Sequence, residues 1–176
     1  MPVPFVDMRA ELIAFASGDF GPREITPECV FVLHYWGCPP LEQGIREAAM
    51  ATFHHHFVTN GYTNIGYSHL VSWPDGAVAY VGDVFTARAN VAGRNHLAIG
   101  ICVEGNLEGD IPPAVVEGVR CAIGSIRSEV VRRLGDKGQF VYGLPLYGHQ
   151  EFALPGHGTA CPGPGGMQII RELRGF

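Results

Sequence analysis

Charge is scarce in this chain. Of its 176 residues only 16% are Asp, Glu, Lys or Arg, while 47% are apolar. That composition excludes a charge-rich disordered chain and fits a globular one. The charge that is present leans acidic, with twelve basic against seventeen acidic residues and a net charge of −5. No basic excess or stripe marks a nucleic-acid surface, and attraction to anionic polymers should be weak. Long apolar runs are also missing: none reaches the roughly 18 residues that a membrane helix needs. A nucleic-acid or membrane partner is therefore not expected. Internal repeats, linkers and low-complexity tracts are absent as well. Residues 1–176 read as one domain, long enough for a sizeable core, and expected to be monomeric.

A disulfide framework is excluded by number and spacing. There are five cysteines, at irregular intervals: Cys29, Cys38, Cys102, Cys121 and Cys161. An odd, irregular set does not make a staple pattern. Cys102, in the apolar run "HLAIGICVEG", and Cys121, in a helical stretch, read as small buried hydrophobes. Cys161 differs, because a polar loop rich in Gly and Pro surrounds it. The first residues, "MPVPFVDMRAELIAF", lack a basic n-region, and Asp7, Arg9 and Glu11 interrupt their apolar residues, so they are not a signal peptide. Taken as a natural start, they predict synthesis in the cytosol without general secretory export.

What is abundant is Gly (24) and Pro (13), so much of the chain should be loop on a compact frame. "DMRAELIAF" has the period of a short first helix. "CVFVLHYW" (29–36) is dense in β-formers and reads as a buried strand, broken at Gly37 to Pro40. Residues 41–61 carry apolar side chains every three or four positions, an amphipathic helix that ends at Asn60-Gly61. "IGYSHLVSW" and "AVAYVGD" flank Pro74-Asp75-Gly76 and predict a hairpin. "HLAIGICVEG" (96–105) is an apolar, central strand. Pro112-Pro113 open a long helix with a basic last turn that Gly135 stops. A long loop follows, and "GGMQIIRELRGF" closes the chain as a helix. The order α, β, α, β-hairpin, β, α, loop, α predicts an α/β single domain with a central mixed sheet flanked by helices.

Candidate chemistry starts with His34. It lies in an apolar strand just before the strand breaks, and strand ends are where α/β sheets present functional groups. The run His54-His55-His56 is less than it looks. Successive helical side chains point about 100° apart, so three in a row cannot converge on one ion. His56 continues the apolar stripe and should face the sheet, bordering a cleft. The loop "YGHQEFALPGHGTACPG" (147–163) holds His149, His157 and Cys161. Zinc accepts imidazole nitrogen and thiolate, and a catalytic site has three protein ligands. His149 and Cys161 with the distant His34 make a plausible set, better suited to zinc than to magnesium or calcium.

Five blocks now stand in order: "FVLHYWG", "GYTNIGYSHLV" with "DGAVAYVGD", "AGRNHLAIGICVEGN", "YGHQEF" and "TACPG". They span Phe31 to Gly163, about three quarters of the chain. In these blocks the chain resembles the zinc-dependent N-acetylmuramoyl-L-alanine amidases of the amidase-2 type, which include phage endolysin amidases and the peptidoglycan recognition proteins. The family-like core covers about 29–174. The tyrosine block and the "TACPG" ending are closer to the phage branch.

The resemblance implies roles. His34, His149 and Cys161 match the zinc ligands. Tyr67 matches a tyrosine beside the metal in phage-type members. Thr159 occupies a Lys or Thr position thought to help stabilise the oxyanion. Asn95 matches an asparagine near the substrate groove, and Asn90 lies at a neighbouring substrate-side position; His56 joins them as a substrate-side candidate from its place on the helix stripe. Glu104, at the end of the central strand, competes with Tyr67 for the role of general base. The implied activity is hydrolysis of the bond between N-acetylmuramic acid and L-alanine in peptidoglycan, on the wall as an endolysin or on soluble anhydromuropeptides in recycling. The implied place of action for an endolysin is the cell wall, reached through a membrane pore made by another protein. Non-catalytic peptidoglycan binding is a further alternative.

Three departures qualify the match. The gap from His149 to Cys161 is long and contains His157, a competing ligand. Asn90 stands where many members have histidine. Thr159 is not Lys, so zinc and backbone donors must supply more of the electrostatic stabilisation.

Overall fold

The computed structural model describes residues 2–41 and 43–174. Among the described residues, six strands and five α-helices follow in the order β1 (Phe5–Asp7), α1 (Arg9–Phe15), β2 (Val30–Tyr35), α2 (Ile45–His54), β3 (His69–Val71), β4 (Val78–Tyr80), β5 (Ala98–Val103), α3 (Pro113–Leu134), β6 (Leu146–Gly148), α4 (His149–Phe152) and α5 (Gly163–Leu173). The sheet order is β1-β4-β3-β5-β2-β6. β3 and β4 are the antiparallel hairpin, and every other neighbouring pair runs parallel. This is the mixed sheet flanked by helices that the element order predicts. Among the described residues no helix is long and apolar enough to cross a membrane.

Parity along β2 and β5 separates two faces, since successive strand side chains alternate. Phe31, Leu33, Ile99, Ile101 and Val103 pack under α3 and α5, against Val119, Ile126, Ile169 and Ile170. The opposite face carries Val30, Val32 and Ala98. Cys102 lies on that face too, and meets Ala49 and Phe53 of α2. β2 is buried from Val30 to His34, so its polar residue needs a reason to be there.

Several boundaries differ from the pattern reading. α2 starts at Ile45 rather than at 41, because Gly44 takes a φ of 90°, outside the helical region; Glu42 lies outside the described residues. Beyond His54 the helix widens into a π-helical turn, His55–Thr59, closed by Asn60 N–H donating to His55 O at 3.1 Å. β1 and β6 have three residues each, too few for alternation to show. The expected loop after α3 is instead a 3₁₀ stretch, Gly135–Gly143. Cys121 is only half-buried. The expected last helix ends at Leu173, and Gly175 and Phe176 lie outside the described residues.

The hairpin turn sits on α3 with no room to spare. Gly76, at a φ of 71°, packs on Ala114 O. A methyl at Gly118 would collide with Gly76 O and stand 2.6 Å from Val71 Cγ1. Gly118→Ala is therefore expected to destabilise the protein by about 1–3 kcal/mol through overpacking. Gly124, on the same helix with open space at its Cβ, is the control: Gly124→Ala should add up to about 1 kcal/mol from helix propensity. Urea unfolding of the two variants should shift in opposite directions.

The N-terminal segment is fastened by a buried cation. Arg23, 5% exposed, donates to Val84 O at 3.0 Å, Asn95 O at 3.3 Å and Ala98 O at 2.5 Å. Arg88, equally buried, pairs with Asp19 at 3.1 Å.

Candidate metal centre and its cavity

His34 is the fifth residue of β2, on the face away from α3. β6 runs parallel beside β2 with Leu33 opposite Gly148. That register sets the next residue, His149, next to His34, and their ring centroids are 4.6 Å apart. Cys161 arrives from the loop between α4 and α5. Its N–H donates to Thr159 Oγ1 at 3.1 Å, and its carbonyl accepts from Gln150 N–H at 2.7 Å. The loop can come this close because residue 148 is glycine: a Cβ there would lie 2.8 Å from both Pro162 Cδ and Met167 Sδ. Glu151 anchors α4, accepting from Gly148 N–H at 2.9 Å and pairing with Arg174 at 2.6 Å.

One ligand atom from each of His34, His149 and Cys161 lies within 4.8 Å of the other two. Among the described residues this is the one group of three or more His, Cys, Asp or Glu placed to share an ion. His34 Nδ1 and Cys161 Sγ are 3.8 Å apart. Tetrahedral zinc, with bonds of about 2.0–2.1 Å to nitrogen and about 2.3 Å to sulfur, needs that edge to be roughly 3.6 Å. Two imidazoles and a thiolate without a carboxylate also suit zinc in chemistry. The residues therefore fit the metal.

Electrostatics point the same way. Burial holds His34 well below the usual histidine range, and the neighbouring His149 adds to this. Burial also lowers His149. Both rings are thus neutral near pH 7, with a lone pair free. Burial pushes the Cys161 thiol up to about 12, so a thiolate here requires a cation to offset its desolvation.

A cavity of about 670 Å³ opens over the trio, walled by Tyr67, His56, Tyr62 and Thr52 among others. A second, of about 530 Å³, continues from it and shares Tyr62, Ala89, Asn90 and His149. The Tyr67 ring centroid is 5.0 Å from that of His34. Burial, then the Cys102 and Cys161 sulfurs, push its phenol well above the ordinary value, so it holds its proton. His56 is buried at the π turn, and its Nδ1 accepts from Gly66 N–H at 3.0 Å. Burial brings it down to about 4. His54 and His55 are exposed.

The remaining candidates are placed less centrally. Glu104 does not line the cavity. It is 2% exposed, and its carboxylate accepts from Leu41 N–H at 2.5 Å and Trp73 N–H at 3.3 Å. Those bonds tie two loops to the end of β5. Thr159 caps the Cys161 turn as described. Asn95 lines the second cavity, and its Oδ1 accepts from Asn90 N–H at 2.9 Å and Val91 N–H at 2.8 Å. His157 is exposed, in the second cavity and outside the trio. Pattern reading missed Tyr62 and Gly148. Neither belongs to a periodic segment, so only the folded chain reveals them.

No protein-family profile and no curated protein matches the sequence. Solved structures do match in shape. Drosophila peptidoglycan recognition protein SD superposes with a TM-score of 0.73 at 20% identity, over 97% of this chain and 95% of that one. The Ph2119 endolysin from Thermus scotoductus MAT2119 bacteriophage Ph2119 gives a TM-score of 0.69 at 20% identity, over 96% and 97%. Human PGRP-IBETAC, solved in complex with glycosamyl muramyl pentapeptide, gives 0.70 at 20% identity, over 96% and 95%. At such identity the likeness is one of fold, and the fold is that of the peptidoglycan recognition proteins and this phage endolysin.

Proposed function

We propose that the protein is a zinc-dependent N-acetylmuramoyl-L-alanine amidase that degrades peptidoglycan. The observation that carries this reading is the trio His34, His149 and Cys161 at the floor of an open cavity with Tyr67 beside it. The shared fold with an endolysin and with a protein that holds a muramyl pentapeptide supports the substrate class.

Zinc held by the trio supplies a Lewis acid and lowers the pKa of water towards about 7. The chain's own residues do the rest. His34 and His149 stay neutral and keep their lone pairs on the site. Tyr67 is the group placed to relay a proton at its phenolic oxygen, since Glu104 is committed elsewhere. The oxygen of water ends in the lactyl carboxylate of N-acetylmuramic acid, the C–N bond breaks, and the proton passes to the alanine nitrogen. Thr159 still has its hydroxyl proton to donate to the developing oxyanion. His56 accepts from Gly66 at Nδ1, so its proton sits on Nε2, and with Asn95 and Asn90 it contributes polar wall along the two cavities.

The reading includes a monomer acting on the wall as an endolysin does. The test is product analysis on purified sacculi and on soluble anhydromuropeptides, with and without chelator. New amino-terminal alanine that chelation removes and zinc restores is the expected result. Release only from the soluble substrate would move the role to recycling. No alanine from either, with zinc-loaded protein, would leave peptidoglycan binding without catalysis.

A further inference from the structure

We propose that Asn90 is a positioning residue of the metal centre: its amide oxygen takes the proton of His34 Nε2, which fixes the tautomer whose Nδ1 lone pair faces the ion site. The inference rests on the reading that the trio holds zinc.

Among the described residues, His34 Nε2 and Asn90 Oδ1 are both buried without a hydrogen-bond partner. One is a donor if His34 is protonated there, and the other can only accept. The orientation of the Asn90 amide is not free. Its Nδ2 donates to Arg88 O at 2.8 Å and to Ala98 O at 3.4 Å, so a flip would set its oxygen against two carbonyl oxygens. Its backbone is pinned by Asn95 Oδ1. Its side chain rests on Gly100, where an added Cβ would come within 2.9 Å of Asn90 Cγ and 3.1 Å of Oδ1. Gly100 is opposite Val32, and the next residue pair on that face is Cys102 opposite His34. The bare glycine thus makes a seat for the amide next to the imidazole.

The other nitrogen is accounted for, since Nδ1 faces Cys161 Sγ. A neutral ring carries one proton. Placed on Nδ1, it would block the ion site and leave the Nε2 lone pair against the Asn90 oxygen. Placed on Nε2, it satisfies both buried atoms at once. Asn90 and His34 are side-chain neighbours within hydrogen-bonding reach. Metal-bound histidines generally donate their second N–H to such an acceptor, and losing it costs about 10–100-fold in metal affinity.

Zinc affinity, measured by competition with a chromogenic chelator, separates this role from loop support. Asn90→Leu and Asn90→Asp both lose the Nδ2 bonds, but only Asp keeps an acceptor. Asn90→Leu should bind zinc about 10–100-fold more weakly, and Asn90→Asp should bind as the unaltered protein does or more tightly. Equal weakening of both variants, or none in Leu, would overturn the proposal. Should either variant fail to fold, nitrogen NMR of the unaltered protein decides: His34 should carry a slowly exchanging proton on Nε2 with and without zinc, and an Nδ1–H tautomer would sink the idea. Neither readout needs turnover. Zinc binding without hydrolysis would remove the amidase reading and leave this one. An Nε2–H tautomer in a protein that takes up no zinc would remove the metal and leave the hydrogen bond.

Discussion

Cys161→Ala should leave a folded protein that neither holds zinc nor releases alanine from peptidoglycan. Two imidazoles remain, and with the only anionic ligand gone the loss should exceed the ~10–100-fold that follows from removing a supporting partner. Hydrolysis should fall to background, because the Lewis acid leaves with the metal. Metal content by emission spectroscopy, circular dichroism and alanine release check the three parts. A variant that keeps zinc and full rate would show that sulfur is not a ligand. The pH dependence gives a second readout. The thiol sits at about 12, above working pH, so uptake of zinc as thiolate complex must expel a proton. The unaltered protein should therefore bind about tenfold more tightly for each unit rise in pH near neutrality. His34 and His149, both held below the ordinary histidine value, compete with the metal only under more acidic conditions, where the dependence steepens.

Tyr67→Phe should keep its zinc and lose about 10²–10⁴-fold in kcat, the usual contribution of a positioned proton-transfer group. The phenyl ring remains to pack against His34 and His56, whose centroids lie 5.0 and 5.2 Å away, so the cavity keeps its shape. Its KM should change little, which distinguishes lost proton transfer from lost binding. Steady-state kinetics on a soluble muropeptide, with metal content measured in parallel, are sufficient. An unchanged kcat would take Tyr67 out of the proton path and leave Thr159 as the hydroxyl to consider.

Much of this was legible in the chain, for reasons that differ by residue. β2, β5, α3 and the hairpin announce themselves through length, β-branched density, the Pro112-Pro113 opening and the Pro74-Asp75-Gly76 turn. His34 stood out because an apolar strand had no evident use for it. What composition and period could not give was the convergence of His34 with residues 115 and 127 positions further on. That depends on the pairing of β2 with β6, a strand of three residues with no periodic signature. The setting of Glu104 is hidden from the sequence for a related reason. Strand parity puts it on the same face as Cys102, but its carboxylate is captured by the backbone of two loops, which no spacing rule encodes. The π turn after His54 is likewise invisible to a 3.6-residue period.

The fastening of the N-terminal segment has a consequence for how the molecule comes apart. Residues before β2 contribute no ligand, yet Arg23 occupies three carbonyl oxygens from the loop after β4 and the start of β5, Met8 and Leu12 are buried under α2, and β1 zips along β4. If this stretch peeled away, it would give up those hydrogen bonds, the burial of Met8 and Leu12 and the β1 pairing together, and each carbonyl left buried without its donor would cost on the order of 1–3 kcal/mol. Local opening of the segment is thus nearly as costly as opening the sheet itself. Its amides should belong to the same cooperative unit as β5 and exchange with solvent only when the whole fold does. A segment without chemistry is, in that sense, the latch on the sheet that presents His34.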